Sequence, residues 1–178
     1  MLDLRNHKQA WPDHLEPRGE GFNRESFAAW WDRHCDELGH LHPQIAEQWV
    51  HRHWTYSPYS FLPLDDLSWS QEQWATSRIL KDVFVNGWQL DPDYDYRAFA
   101  GMPDHATTKP LNQTGTWDYP IVTLETPGGF QDHGIHRPDV GHLLIEGHSR
   151  IRYMNALSHR GKAAPYHNVF ILRTTKAG

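Results

Sequence analysis

Cys35 is the only cysteine in 178 residues, which excludes an internal disulfide framework and zinc modules built on paired cysteines. No apolar run approaches the roughly 18 residues that a spanning helix needs, so no membrane protein is expected. The first residues, Met-Leu-Asp-Leu-Arg-Asn-His, have neither the basic segment nor the apolar core of a secretory signal, and a cytoplasmic address is expected. Basic residues are in deficit. Lys and Arg number 17 against 22 Asp and Glu, a formal charge of -5, which argues against generic binding to a DNA backbone.

Large side chains, in contrast, are plentiful. With 9 Trp, 7 Tyr, 7 Phe and a hydrophobic fraction of 38%, the chain has the means to build a core and is not disordered. At this length one compact domain is expected. The charge is also unevenly placed: from Leu143 to Gly178 six basic residues stand against Glu146 alone, giving +5, and residues 1–142, with 11 basic and 21 acidic residues, carry -10. An anionic ligand is therefore expected on the C-terminal part.

Residues 1–22 hold Pro12, Pro17, Gly19 and Gly21 and read as an irregular arm. From Asn23, a potential cap, the residues Phe27, Ala28, Trp31, Cys35 and Leu38 recur at helical spacing up to Gly39, and Cys35 on that stripe reads as a buried structural thiol. Pro43 suits the first turn of a second helix with Ile45, Ala46, Trp49, Val50 and His53 on one face. Ser68 and Gln71 resemble a capping box for a third helix ending at Asn86-Gly87, with Ile79 and Val83 buried. Three helices are thus expected before any strand. Residues 88–116 read as a long connection with one helical turn near Tyr96 to Ala100, residues 119–125 as a strand, 142–146 as a second, 149–159 as a helix and 167–173 as a last strand. The domain plan is an arm over 1–22, a helical layer and connection over 23–118, and a β/α core over 119–178.

The stretch Leu144-Ile-Glu-Gly-His-Ser-Arg-Ile-Arg runs an apolar strand through one glycine into a helix whose first turn carries His148, Ser149, Arg150 and Arg152. Unpaired N–H groups and the positive end of the helix dipole attract an anion there. A guanidinium in that turn is unfavourable for the isolated helix, and a bound phosphate would relieve the conflict. The alternative is that Gly147 merely turns the chain and the two arginines are solvated or pair with carboxylates.

Gly-His-Ser-Arg-Ile-Arg at 147–152 resembles the Gly-Glu-Arg-Arg-x-Arg box of ParB-like domains and the Gly-Cys-His-Arg box of sulfiredoxins, which share the ParB fold. Pro120-Ile-Val resembles the family's early strand, Leu143-Leu-Ile-Glu the strand before the box, and Val169-Phe-Ile-Leu the strand after the helix. The resemblance covers residues 75–173, most closely 119–173. It implies a nucleotide, ATP or CTP with Mg²⁺, at the strand-to-helix turn, with Gly147, His148, Ser149, Arg150 and Arg152 as the phosphate site. His148 stands where sulfiredoxins have their reactive cysteine and where ParB has a metal-holding glutamate, which excludes the first chemistry and departs from the second. A nucleotide hydrolase or small-molecule kinase would need a proton acceptor, for which Glu146, Glu125 and His148 are the candidates. No helix-turn-helix follows before Gly178, so the DNA-reading domain of a partition protein is not expected.

Histidine is abundant, at 14 residues. His133 and His136 could converge on His148 with Asp132, Asp139 or Glu146 as a carboxylate ligand, a metal-binding alternative. His51 and His53, two apart on a helix, point about 200° from one another and cannot grip one ion together. The aromatic stretch 54–61 reads as core packing, or as a surface for a protein partner. The fold class expected is α+β, a helical N-terminal layer on a ParB/sulfiredoxin-like core with a small mixed sheet. Its function is expected to be nucleotide or phosphate binding, and the alternative is a non-catalytic interaction, accessory or immunity protein.

Overall fold

The computed structural model describes residues 1–5 and 11–175; Lys176, counted in the C-terminal charge excess, and part of the N-terminal arm lie outside the described residues. The strands are β1 (Leu2–Asp3), β2 (Leu67–Ala75), β3 (Val83–Phe84), β4 (Ile121–Glu125), β5 (Phe130–Asp132), β6 (Ile135–Arg137), β7 (His142–Glu146) and β8 (Tyr166–Thr174). The helices are α1 (Phe27–Leu38), α2 (Pro43–Ile45, running on into a π-helical turn over Ala46–His51), α3 (Thr76–Asp82), α4 (Pro92–Ala100), α5 (Thr108–Thr114) and α6 (His148–Ser158). β2-β8-β4-β7-β3 form a mixed sheet, and β1-β5-β6 a smaller one. This is an α+β fold.

The apolar runs of β4, β7 and β8 follow from burial on both faces. Successive side chains alternate between two cores. Val122, Leu143, Ile145, Phe170 and Leu172 pack with Trp30, Ile45 and Trp49 of the N-terminal helices. Ile121, Leu144, Val169 and Ile171 pack with Ile79, Ile151 and Met154 on the other side. The expected helical layer is therefore present, and α3 to α6 add a second one.

The expected third helix over 68–86 is replaced by β2, the short α3 and β3. β2 makes a continuous antiparallel ladder with β8, from Leu67 opposite Thr174 to Ala75 opposite Tyr166. Those tertiary hydrogen bonds override a helical spacing that is only locally encoded. Ser68 and Gln71 sit on the strand rather than in a capping box. Trp69 and Trp74, an odd number apart, enter opposite cores. The large sheet thus draws β2 and β3 from the region expected to be wholly helical. Ile79 and Val83 are buried as expected.

Other boundaries also move. α1 starts at Phe27, where the Ser26 hydroxyl accepts from Ala29 N–H, and not after Asn23. Its buried face is Trp30, His34 and Leu38, one residue round from the expected stripe, because the Trp30 indole donates to the Leu15 carbonyl at 2.6 Å. Phe27 and Trp31 lie at the core margin, and Cys35 is half-buried. The arm contributes Trp11 and Leu15 to the core. Residues 88–116 contain α4 and α5; Asp91 caps Asp93 and Tyr94 N–H ahead of Pro92, a start signal present in the sequence. His133 sits in the turn of the β5–β6 hairpin.

His167 shows how the β8 end is locked. Its ring lies between Thr76 and Thr116 hydroxyls at 3.0 and 2.8 Å. Thr76 donates its proton to the Ala164 carbonyl at 2.6 Å, so it must accept from His167 Nε2–H, and Nδ1 accepts from Thr116. Burial pushes the imidazole from 6.5 down to about 4. The unfolded chain therefore binds a proton between those two pH values while the folded chain does not, and stability falls as pH drops through that window. The total is about 3 kcal/mol. Urea unfolding at pH 7.5, 6, 5 and 4 should show that decline in the parent and a shallower one in His167→Gln.

Candidate functional site

β7 ends at Glu146 and the chain turns through Gly147 into α6. At φ +109° Gly147 adopts a backbone conformation that side chains avoid, and a Cβ there would sit 2.6 Å from Ile121 Cγ2. The first intrahelical bond runs from Ile151 N–H to the Gly147 carbonyl at 3.0 Å. No side chain caps this start, and the N–H groups of His148, Ser149 and Arg150 have no partner among the described residues.

A cleft of about 790 Å³ opens over the turn. Its facing wall is the π-helical turn and the residues after it, Glu47, Gln48, His51, Arg52 and His53, flanked by Arg24, His105, Asp118 and Tyr119. The widened turn sets the geometry. Arg52 N–H bonds to the Glu47 carbonyl at 3.0 Å, so residues five apart stack, and Gln48 and His53 share the face that meets the glycine turn. Gln48 Oε1 accepts from Arg150 Nη2 at 2.5 Å and its Nε2 donates to the Pro120 carbonyl at 3.1 Å. His53 Nε2 lies 3.4 Å from Glu146 Oε2. Arg24 closes the end of the turn by donating to the carbonyls of His51 and Arg52.

Arg150 is not the ligand-facing arginine that the sequence leads one to expect. It is buried, with Nη1 donating to the Tyr119 carbonyl at 2.7 Å and Nη2 lying 3.5 Å from Glu146 Oε1. Burial lowers its pKa to about 10, which leaves it charged at neutral pH. Its guanidinium is therefore part of the wall, because the strand-to-helix turn brings it beside the Tyr119 carbonyl and Gln48 Oε1. Arg152 leaves the site altogether. It pairs with the buried Asp95 of α4 at 2.6 Å and stacks on Trp88 and Phe99. The alternative in which both arginines pair within the protein is the one realised.

Gly147, His148 and Ser149 line the cleft with Glu146. Burial holds the His148 imidazole below its ordinary range. Tyr119 is pushed up to about 12 by its hydrogen bond to Glu47 Oε2, at 2.7 Å, and by burial. Glu125, the other carboxylate candidate, stands at the far end of β4, bonded to Arg173 at 2.7 Å. His133 lies in the turn of the β5–β6 hairpin and His136 on β6, where His136 Nε2 meets Met1 Sδ at 3.2 Å. No three His, Cys, Asp or Glu among the described residues are grouped to hold a metal ion, so the set His133, His136 and His148 does not converge. In the stretch 54–61, Trp54 and Tyr59 are buried and Tyr56 is exposed.

Sequence periodicity missed Arg24, Gln48, Arg52 and His105. A 3.6-residue repeat does not place Gln48 and His53 on one face; only the π-helical register does. No helix among the described residues is long and apolar enough to cross a membrane. In comparisons with known proteins the chain matches no family model, no curated protein and no solved structure.

Proposed function

We propose that the protein binds a small cytoplasmic phosphorylated molecule, with a nucleotide such as ATP or CTP foremost, and that the phosphate lies at the Gly147 turn. The observation that carries this reading is the uncapped start of α6, whose first N–H groups open into a cleft. Donors so arranged, with the dipole behind them, favour a negative charge. Arg52 on the facing wall is exposed and makes no ion pair among the described residues, so it is available to the same anion. Arg150, the expected phosphate ligand, instead supplies a fixed positive charge beneath the turn.

The order of strand, strand, glycine box, helix and strand, which resembles ParB-like domains, supports the same ligand class. Among the described residues no three His, Cys, Asp or Glu are grouped to hold an ion, and the nucleotide is proposed without assigning residues to Mg²⁺.

A thermal-shift panel with ATP, CTP, GTP, ADP and inorganic phosphate tests the reading. A ligand at about 100 times its Kd adds roughly 2.7 kcal/mol to stability. Arg52→Glu should weaken the best ligand by about tenfold or more, the size of one lost charge-assisted contact. If none of the panel stabilises the parent, the reading fails, and an interaction protein becomes the better description.

A further inference from the structure

Resting on that reading, we infer that His53 is a general base oriented by Glu146, and that the site hydrolyses the phosphate ester it binds. The inference starts from a carboxylate shared by two cationic partners. Glu146 Oε1 lies 3.5 Å from Arg150 Nη2, and its Oε2 lies 3.4 Å from His53 Nε2. Arg150 is itself fixed by the Tyr119 carbonyl and Gln48 Oε1. The carboxylate therefore has a fixed backing, and the imidazole has a fixed neighbour.

A carboxylate beside Nε2 selects the tautomer with its proton on that nitrogen, and Nδ1 is then the proton acceptor. His53 Nδ1 has no hydrogen-bond partner among the described residues, and the side chain is 36% exposed on the cleft wall. Separations of 3.4 and 3.5 Å are long for hydrogen bonds, as catalytic pairs commonly are before substrate binds. Gln48 and His53 reach Arg150 and Glu146 from the same face only because five residues separate them across the π-helical turn. π-Bulges recur at functional sites for this kind of reason. His148 does not compete for the role, since no carboxylate lies within ion-pair distance of it among the described residues.

The reaction balances with water as the only co-reactant. The water oxygen bonds to phosphorus, and the bond from phosphorus to the bridging ester or anhydride oxygen breaks with its electron pair on the leaving group. The water proton passes to His53 Nδ1, where Glu146 stabilises the imidazolium. His53 then returns that proton to solvent or to the leaving oxygen. The N–H groups of the α6 start and Arg52 face the charge that develops on the remaining phosphate oxygens.

The test measures phosphate release from ATP, CTP and p-nitrophenyl phosphate, and binding of the same compounds by thermal shift. His53→Gln should lower turnover by about 100-fold or more, the usual worth of a positioned base, and leave binding within about twofold. Added imidazole should restore part of the turnover of His53→Ala, a result that a merely structural role would not give and that does not depend on the fold of one variant. Glu146→Gln should lower turnover and shift the acidic limb of its pH profile. A parent that binds a phosphate compound but releases none overturns the inference and leaves the binding reading intact. Equal turnover in His53→Gln does the same. A parent that binds none of the compounds overturns both.

Discussion

Gly147→Val should cost about 2–5 kcal/mol of stability, measured as a fall in the urea midpoint. Two penalties combine. A left-handed backbone costs a residue with a side chain roughly 1–2 kcal/mol, and Gly147 at φ +109° lies beyond even the compact part of that region. The new side chain also meets Ile121 Cγ2 at 2.6 Å, with Arg150 Nη2 at 3.3 Å, and overpacking a core typically costs another 1–3 kcal/mol. Ile121 cannot step aside, because it is fully buried on β4 between β7 and β8. Gly101→Ala is the matched control. Gly101 has an ordinary helical φ of -74° and open space where a Cβ would stand, so its midpoint should move by no more than about 0.5 kcal/mol.

Arg150→Ala should cost a further large amount, about 3–5 kcal/mol, as is usual when one member of a buried charged network is removed. Gln48 Oε1 and the Tyr119 carbonyl would lose their donor, and Glu146 would lose its inner cation. The loss should appear in the urea midpoint of the ligand-free protein. A phosphate-gripping arginine would give the opposite pattern, an unchanged midpoint and lost affinity. Arg150→Lys should recover only part of the stability, since an ammonium cannot serve two acceptors in the fixed fork of a guanidinium. In Arg150→Met the orphaned partner matters most, so adding Gln48→Leu should cost less than the sum of the two single changes.

The C-terminal half was readable because its signals are unambiguous. Leu143 to Ile145 and Val169 to Leu172 are apolar without interruption, as strands covered on both faces must be, and Gly147 marks the turn between β7 and α6. β2 was not readable. Leu67 to Ala75 is an edge strand rich in Ser, Gln and Glu, and what makes it a strand is the ladder to β8, whose residues lie far away in the sequence. The site was half legible for a similar reason. Gly147, His148, Ser149 and Glu146 follow from local sequence. The facing wall depends on a π-helical turn that no hydrophobic repeat announces. The charge of Arg150 was visible, but its direction was set by the carbonyls of Tyr119 and Pro120, thirty residues away.

β8 occupies the second place in the large sheet, pairing with β2 on one side and β4 on the other. Trp69 finds Leu172 and Ile121 finds Val169 across it. During synthesis, therefore, β2 waits with an unpaired edge while about a hundred residues are added; β4 can pair with β7 in the meantime, but β2 cannot join the sheet, nor β4 gain its second neighbour, until residue 174 has left the ribosome. Pairings of such long range are slow to form because the loop entropy is lost before the contacts reward it. A nascent chain stalled before Tyr166 should accordingly stay protease-sensitive and prone to edge-to-edge association, and completion of one strand should convert both halves together.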